Sequence, residues 1–241
     1  MKVLIIGTGG REHTLAWKIS RSPRVEKIYC PGGNAGIAGI ADVTPVAAGA
    51  GFEGLITFAL REGIGLTVVG PEAPLAEGIV DAFEKAGLRV FGPNAAGARI
   101  ESSKAFAKEI MLSAGIPTRS AQVFSHSADA IRHLDTRDFP VVIKADGLAA
   151  GKGVIIAQDR QEAEQAIRDI MDEKSLGEAG ARVLVEEFLE GEEASLLAFT
   201  DGMTVAPMDS AQDHKAVFDG DTGPNTGGMG AYSPAPVVTP E

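Results

Sequence analysis

The sequence has a single cysteine, Cys30, so no disulfide can form within the chain and no cysteine-based zinc cage can be built. Its four histidines, His13, His126, His133 and His214, are too dispersed to suggest a metal site. Basic residues are in deficit: 22 Lys and Arg against 33 Asp and Glu leave a net charge of −11. A surface this acidic argues against a general role on nucleic acid or at an anionic membrane, since both need a basic footprint. Binding of a small anion stays open, because backbone amides and local lysines can do that under any net charge. Long apolar runs are missing too. The N-terminal one, Val3 to Ile6, is too short for a signal peptide, and nothing later approaches a membrane-spanning length. The expected location is cytoplasmic.

What is plentiful is glycine, 30 residues of it, clustered in a way that suits built loops more than disorder. Between the clusters the first hundred residues alternate strand and helix signals. Apolar runs at Lys2–Gly7, Val25–Cys30, Leu66–Val69 and Arg89–Phe91 each end at glycine or proline. Helical spacing covers Glu12–Ser20, Phe52–Glu62 and Leu75–Ala86. Strands and helices in this alternation predict βαβ units, with a parallel sheet covered on both faces.

The pattern then changes. Ser102 or Ser103 can cap a helix Lys104–Ala114, which stops at Gly115 with Pro117 just beyond. Val141–Ala145, Val154–Ala157 and Val183–Phe188 read as strands, and Arg160–Asp172 as a helix. Ala194–Thr200 and Met203–Met208 read as a hairpin about Asp201 and Gly202. The stretch from Asp209 to Pro236 has almost no periodicity and is expected to be irregular, either functional or disordered. There is no internal repeat.

Two glycine loops are candidate phosphate sites. GTGGRE, Gly7 to Glu12, follows the first strand and opens a helix, where amides and the helix dipole favour an anion. It is not a dinucleotide fingerprint. That pattern needs glycine at position 12, where this chain has Glu12, and an acidic residue after the second strand, where it has Pro31, Gly32, Gly33 and Asn34. The plainer reading is a turn that needs glycine only to pack helix on strand. KADGLAAGKG, Lys144 to Gly153, lies between two strands and resembles a Walker A loop without being one. It is one residue short, Gly153 stands where Ser or Thr is required, and a strand comes next instead of a helix. A glycine hairpin flanked by lysines suits a mobile flap over polyphosphate. The alternative is a solvated hairpin, which does not need three glycines in seven residues.

Two further segments are weaker signals. VEEFLEGEE, Val185 to Glu193, sets five carboxylates within eight residues, a pattern that is usually a solvated face. Its apolar lead-in favours a strand-to-linker crossing, which can offer free backbone groups to a flat base. Asp213, His214 and Lys215, with DTGPNTGGMGAY from Asp221 to Tyr232, could expose many backbone donors, or could be a flexible tail.

In this order and spacing, the blocks MKVLIIGTGGREHTLAWK, PGGNAG, VGPEAPLAEGIVD, FGPNAAGARIESSKAF, VVIKADGLAAGKGVII, VLVEEFLEGEEAS and QDHKAVFDGDTGPNTGGMGAYSPAPVVT resemble the phosphoribosylamine–glycine ligase family of the ATP-grasp superfamily along the whole chain. The resemblance implies an α/β fold, with a Rossmann-like parallel-sheet domain at 1–103 followed by a partial α+β ATP-grasp domain. In the latter a larger subdomain, 104–122 with 194–241, is interrupted by a small lid at 123–193. It implies a ligase of purine biosynthesis that phosphorylates the glycine carboxylate with ATP, then lets the amine of 5-phosphoribosylamine attack the acyl phosphate. Positioning and charge neutralisation carry such chemistry, which asks for lysines and backbone donors.

Carried over residue by residue, Lys104 and Lys144 contact ATP phosphates, with Gly147, Gly151, Lys152 and Gly153 in the closing loop. Glu186, Glu187, Phe188 and Leu189 hold adenine by backbone groups, and Glu193 binds the ribose hydroxyls. Gly9, Gly10, Asn225 and Gly228 frame phosphoribosylamine and glycine with Asp213 and Lys215, which join Lys144 as the expected catalytic groups. The family chain is longer, and its ligands for Mg2+ or Mn2+ are expected beyond residue 241, which suggests a fragment. The alternatives are a non-catalytic nucleotide-binding fragment, another carboxylate–amine ligase of the superfamily, or an NAD oxidoreductase.

Overall fold

The computed structural model describes residues 1–46, 51–149, 152–220 and 222–239, apart from the side chains at 224, 225 and 227. Two compact units, Met1–Ile116 and Pro117–Glu241, divide the chain.

The first unit is built on four parallel strands, β1 (Lys2–Ile6), β2 (Lys27–Tyr29), β3 (Ile64–Val69) and β4 (Val90–Phe91), in the order β2-β1-β3-β4. Its helices are α1 (Gly10–Ser20), α2 (Ala35–Ala38), α3 (Glu53–Glu62), α4 (Glu72–Ala76), α5 (Ile79–Lys85), α6 (Ala95–Ser102) and α7 (Lys104–Ser113). Successive side chains of a strand point to opposite faces, and those of β1 feed two separate cores. Leu4 and Ile6 enter a core with Phe58 of α3 and Phe83 of α5, while Val3 and Ile5 enter another with Ala16 of α1 and Ile37 of α2. Both faces are buried, so the strands read as continuous apolar runs.

One expectation fails here. The single helix Leu75–Ala86 is two helices, α4 and α5, because Gly78 between them has φ +88, which a right-handed helix cannot contain.

The second unit has an antiparallel sheet of β5 (Ala121–Phe124), β6 (Val141–Ala145), β7 (Val154–Ala157) and β8 (Val183–Glu187), in the order β5-β8-β6-β7. The helices α8 (Ser127–His133) and α9 (Arg160–Met171) cover one face. There Val141, Ile143, Ala145, Val183 and Val185 pack on Ala130, Ala163, Ile167 and Ile170. Alternation sends Val142, Lys144, Leu184 and Glu186 to the other face. Asp159 caps α9 by accepting from the Glu162 amide at 2.9 Å.

Beyond this sheet come two antiparallel pairs, β9 (Ala198–Thr200) with β10 (Val205–Pro207), and β11 (Gln212–Phe218) with β12 (Thr222–Tyr232). The first pair bears out the hairpin about Asp201. The second corrects the expected irregular stretch from Asp209 to Pro236. The ladder rests on main-chain bonds, which leave no hydrophobic period, and register shifts interrupt it near Ala216. Among the described residues no helix is long and apolar enough to cross a membrane.

Candidate functional site

In the first unit the chain leaves β1 for β2 on one side, then returns to β3 on the other. The carboxyl ends of β1 and β3 therefore flank a topological switch point, where open α/β sheets bind ligands. Gly9 is the N-cap of α1, and its amide donates to Glu12 Oε2 at 2.6 Å. Glu12 thus acts as the third-residue half of a capping box, its carboxylate already set against the helix N-terminus. It is only 4% exposed. Room for it comes from two glycines: a Cβ at Gly70 would stand 2.0 Å from Glu12 Oε1, and one at Gly7 would stand 2.7 Å from its side chain. Arg11 crosses to the same place, donating to Gly70 O at 2.6 Å and reaching Glu72 at 3.4 Å. Asn34 donates to Thr8 O at 2.9 Å. Gly10 faces open space.

Cys30, fully buried, donates its thiol to Gly7 O at 3.1 Å. Burial, with the Glu12 charge adding, pushes that thiol up to about 11, so it stays protonated.

In the second unit, Lys144 and Glu186 meet on the sheet face opposite α8 and α9, with Nζ and Oε2 2.7 Å apart. The register explains it: Val142 lies opposite Glu186, so Lys144, two residues on, is its diagonal neighbour. The glycine loop leaves β6 one residue later. Asp146 accepts from Arg182, Gly147 donates to Ala179 O at 3.0 Å, and the loop closes with Ala145 donating to Gly153 O at 2.8 Å. Lys152, exposed, donates its amide to Ala149 O at 2.9 Å. Ala150 and Gly151 lie outside the described residues, and with them part of the expected flap.

The ladder between β6 and β8 ends at the Val141–Glu187 pair, so the backbone of Phe188 and Leu189 lies beyond it. A cavity of about 470 Å³ opens beside them, lined in part by Phe139, Glu187 and Phe188. Arg119 and Arg137 each stand 4.0 Å from Glu187 there.

The structure also brings together Glu193, Asp213 and Lys215. The Lys215 ammonium is 3.0 Å from Glu193 and 4.0 Å from Asp213, and the Glu193 hydrogen bond raises its proton affinity despite partial burial. Gly228 sits in β12 with φ +115, its amide donating to Thr226 Oγ1 at 3.0 Å. Asn225 pairs by backbone with Ala216, and its side chain lies outside the described residues. Lys104 opens α7 in the first unit, just after the Ser103 cap.

Sequence reasoning missed Glu12 and Arg182 as structural partners. Glu at the third position of a helix was a signal for the first. Nothing local marks Arg182, which is 36 residues from Asp146.

Residues 1–101 match the phosphoribosylglycinamide synthetase N domain, and residues 102–241 match the phosphoribosylglycinamide synthetase ATP-grasp (A) domain. The chain is 57% identical to a phosphoribosylamine–glycine ligase of Allochromatium vinosum, over 100% of this chain and 56% of that protein. An Escherichia coli phosphoribosylamine–glycine ligase is 54% identical with the same coverage. Among solved structures, phosphoribosylamine–glycine ligase from Thermotoga maritima superposes with TM-score 0.81 at 32% identity, covering 98% of this chain and 56% of that one. Biotin carboxylase from Campylobacter jejuni reaches 0.71 at 16% identity over 89% of this chain and 51% of that one, which shows shared fold alone. The chain spans about half the length of the curated relatives it matches. The expected fold class, a parallel-sheet α/β part followed by a partial α+β ATP-grasp part, is the one observed, the sheets of the second part being antiparallel. The chain belongs to the phosphoribosylglycinamide synthetase family, matching its N domain and its ATP-grasp domain in succession.

Proposed function

We propose that this chain supplies the nucleotide and sugar sites of an ATP-dependent ligase that joins glycine to 5-phosphoribosylamine, giving glycinamide ribonucleotide through glycyl phosphate. The observation that supports it most is Lys144, held by Glu186 at the foot of a glycine loop, on the sheet face opposite α8 and α9. An ammonium and loop amides there suit the phosphates of ATP, with Gly147, Gly151, Lys152 and Gly153 in the loop, and Lys104 is proposed as a further phosphate ligand. The backbone of Glu186, Glu187, Phe188 and Leu189 would take the adenine, and Glu193 the ribose.

The glycine carboxylate attacks the terminal phosphorus and ADP departs. The sugar amine then attacks the acyl carbon, and inorganic phosphate leaves. Lys144 and Lys215 would steady the developing negative charge, and Asp213 would steady the positive charge on the attacking amine and take the proton it loses. Gly9, Gly10, Asn225 and Gly228 would hold the phosphorylated sugar and glycine.

The division into 1–103, 104–122 with 194–241, and a lid at 123–193 is part of the proposal. The four-stranded antiparallel sheet with α8 and α9 supports the lid. Among the described residues no three His, Cys, Asp or Glu side chains gather as metal ligands. Those for Mg2+ or Mn2+ are proposed to come from family sequence outside these 241 residues. The proposed setting is the cytoplasm.

The test is an assay on an enzyme of the relatives' full length carrying this sequence. Phosphate release should require both glycine and phosphoribosylamine, and mass spectrometry should find glycinamide ribonucleotide. Release with a different amine acceptor would favour another carboxylate–amine ligase. ATP binding without turnover would favour a nucleotide-binding module.

A further inference from the structure

Asp146 is the first residue after β6 and only 7% exposed. A carboxylate buried to that degree needs a charged or hydrogen-bonding partner. Arg182 provides one, its guanidinium donating to the Asp146 carboxylate, and its backbone carbonyl separately accepts the Asp146 amide at 3.0 Å. The next residue is held as closely. Gly147 donates to Ala179 O at 3.0 Å, and a Cβ on Gly147 would stand 2.7 Å from Ala179 Cα, too near for any other residue. Ala179 belongs to a short 3-10 turn, Gly177–Gly180. That turn is itself packed on α9, since a Cβ at Gly180 would stand 2.5 Å from Ile170 O. Rigid contacts therefore run from α9 through the turn and Arg182 to the base of the glycine loop.

We infer that Arg182 is a positioning residue, which sets nucleotide affinity through Asp146 without touching the nucleotide. This rests on the proposal that Lys144 and the glycine loop hold ATP phosphates. Donors aimed at an anion act best when their directions are set beforehand. A base already fixed at Asp146 and Gly147 also reduces the freedom a bound polyphosphate must remove. Arg182 suits the task because its planar fork is pre-organised for a carboxylate, as a lysine is not.

The experiment uses the full-length enzyme carrying this sequence, with Arg182→Ala, Arg182→Lys and Asp146→Asn. Arg182→Ala should raise the KM for ATP about tenfold, the scale of one charge-assisted hydrogen bond, with kcat and the glycine KM little changed. Arg182→Lys should restore part of the loss. The Gly147 amide should exchange faster in Arg182→Ala without nucleotide, while amides of β1 and β3 keep their protection. An unchanged ATP KM in a folded Arg182→Ala enzyme would overturn the inference, as would equal losses for all substrates. If Arg182→Ala does not fold, Asp146→Asn decides by the same readouts. Should the parent enzyme show no saturation by ATP, the functional proposal fails, and the Gly147 exchange rate alone decides whether Arg182 anchors the loop.

Discussion

The Lys144 ammonium lies 2.7 Å from the Glu186 carboxylate, diagonally across the β6–β8 ladder. Glu186 is nearly buried, with 8% of its side chain exposed, whereas Lys144 keeps 29%. The carboxylate therefore holds the lysine on the sheet while leaving part of it in contact with solvent. A lysine tethered in this way loses less freedom on meeting a phosphate than one on an exposed loop.

Lys144→Ala should accordingly raise the KM for ATP in the full-length enzyme on the order of tenfold or more, and Lys152→Ala should raise it less. Steady-state kinetics on both variants measure the ranking. Equal or reversed losses would reject it.

Gly70→Ala should destabilise the protein by about 1–3 kcal/mol, because the new methyl overlaps the buried Glu12 side chain, which must swing out and give up the Gly9 amide. Adding Glu12→Ala makes room, so the double variant should lose less than the sum of the two single losses. Urea unfolding of the four proteins provides the cycle, and strict additivity would show that the two residues do not compete for space.

Asp42 sets part of the acid sensitivity. Its carboxyl is pushed down to about 2, chiefly by the Thr44 hydroxyl and amide, with Lys27 contributing. Because this lies below the unfolded value of about 3.9, the stabilisation is fully present above about pH 4 and is lost as pH falls toward 2. Asp42→Asn should therefore be less stable than the parent near neutral pH, with the gap closing across that window. Denaturant titrations at a series of pH values would show it. A constant gap would assign the loss to something other than the charge.

Cys30 should be inert in the folded protein, since its thiol is fully buried and kept protonated by the push to about 11. A thiol-exchange reagent at mildly alkaline pH should label it slowly in buffer and rapidly in denaturant. Fast native labelling would mean that the end of β2 opens readily.

The elements legible in the sequence share one property: their apolar side chains form a continuous run or a helical period. β1, β3, β6 and β8 read as apolar runs, and α1 and α9 have helical spacing, because each buries a continuous face. The β11–β12 ladder was not legible. Its segment from Thr222 to Tyr232 is rich in glycine, so the main-chain ladder to its partner strand leaves no apolar alternation to read. The break between α4 and α5 was hidden for a related reason, since the apolar spacing continues past Gly78 while the backbone there does not.

The sequence by itself determined the family, the alternation of strands and helices in the first hundred residues, and the two glycine loops, since each of these rests on residues close together in the chain. Only the tertiary structure decided what those loops are fastened to. Glu12 finds its room at Gly70, 58 residues away, Lys144 meets Glu186 across 42 residues, and Asp146 meets Arg182 across 36. A buried charge must be paired or hydrogen-bonded wherever the fold brings a partner near. Pairings of that kind leave no periodic trace, because strand register and the packing of a short turn on α9 set them.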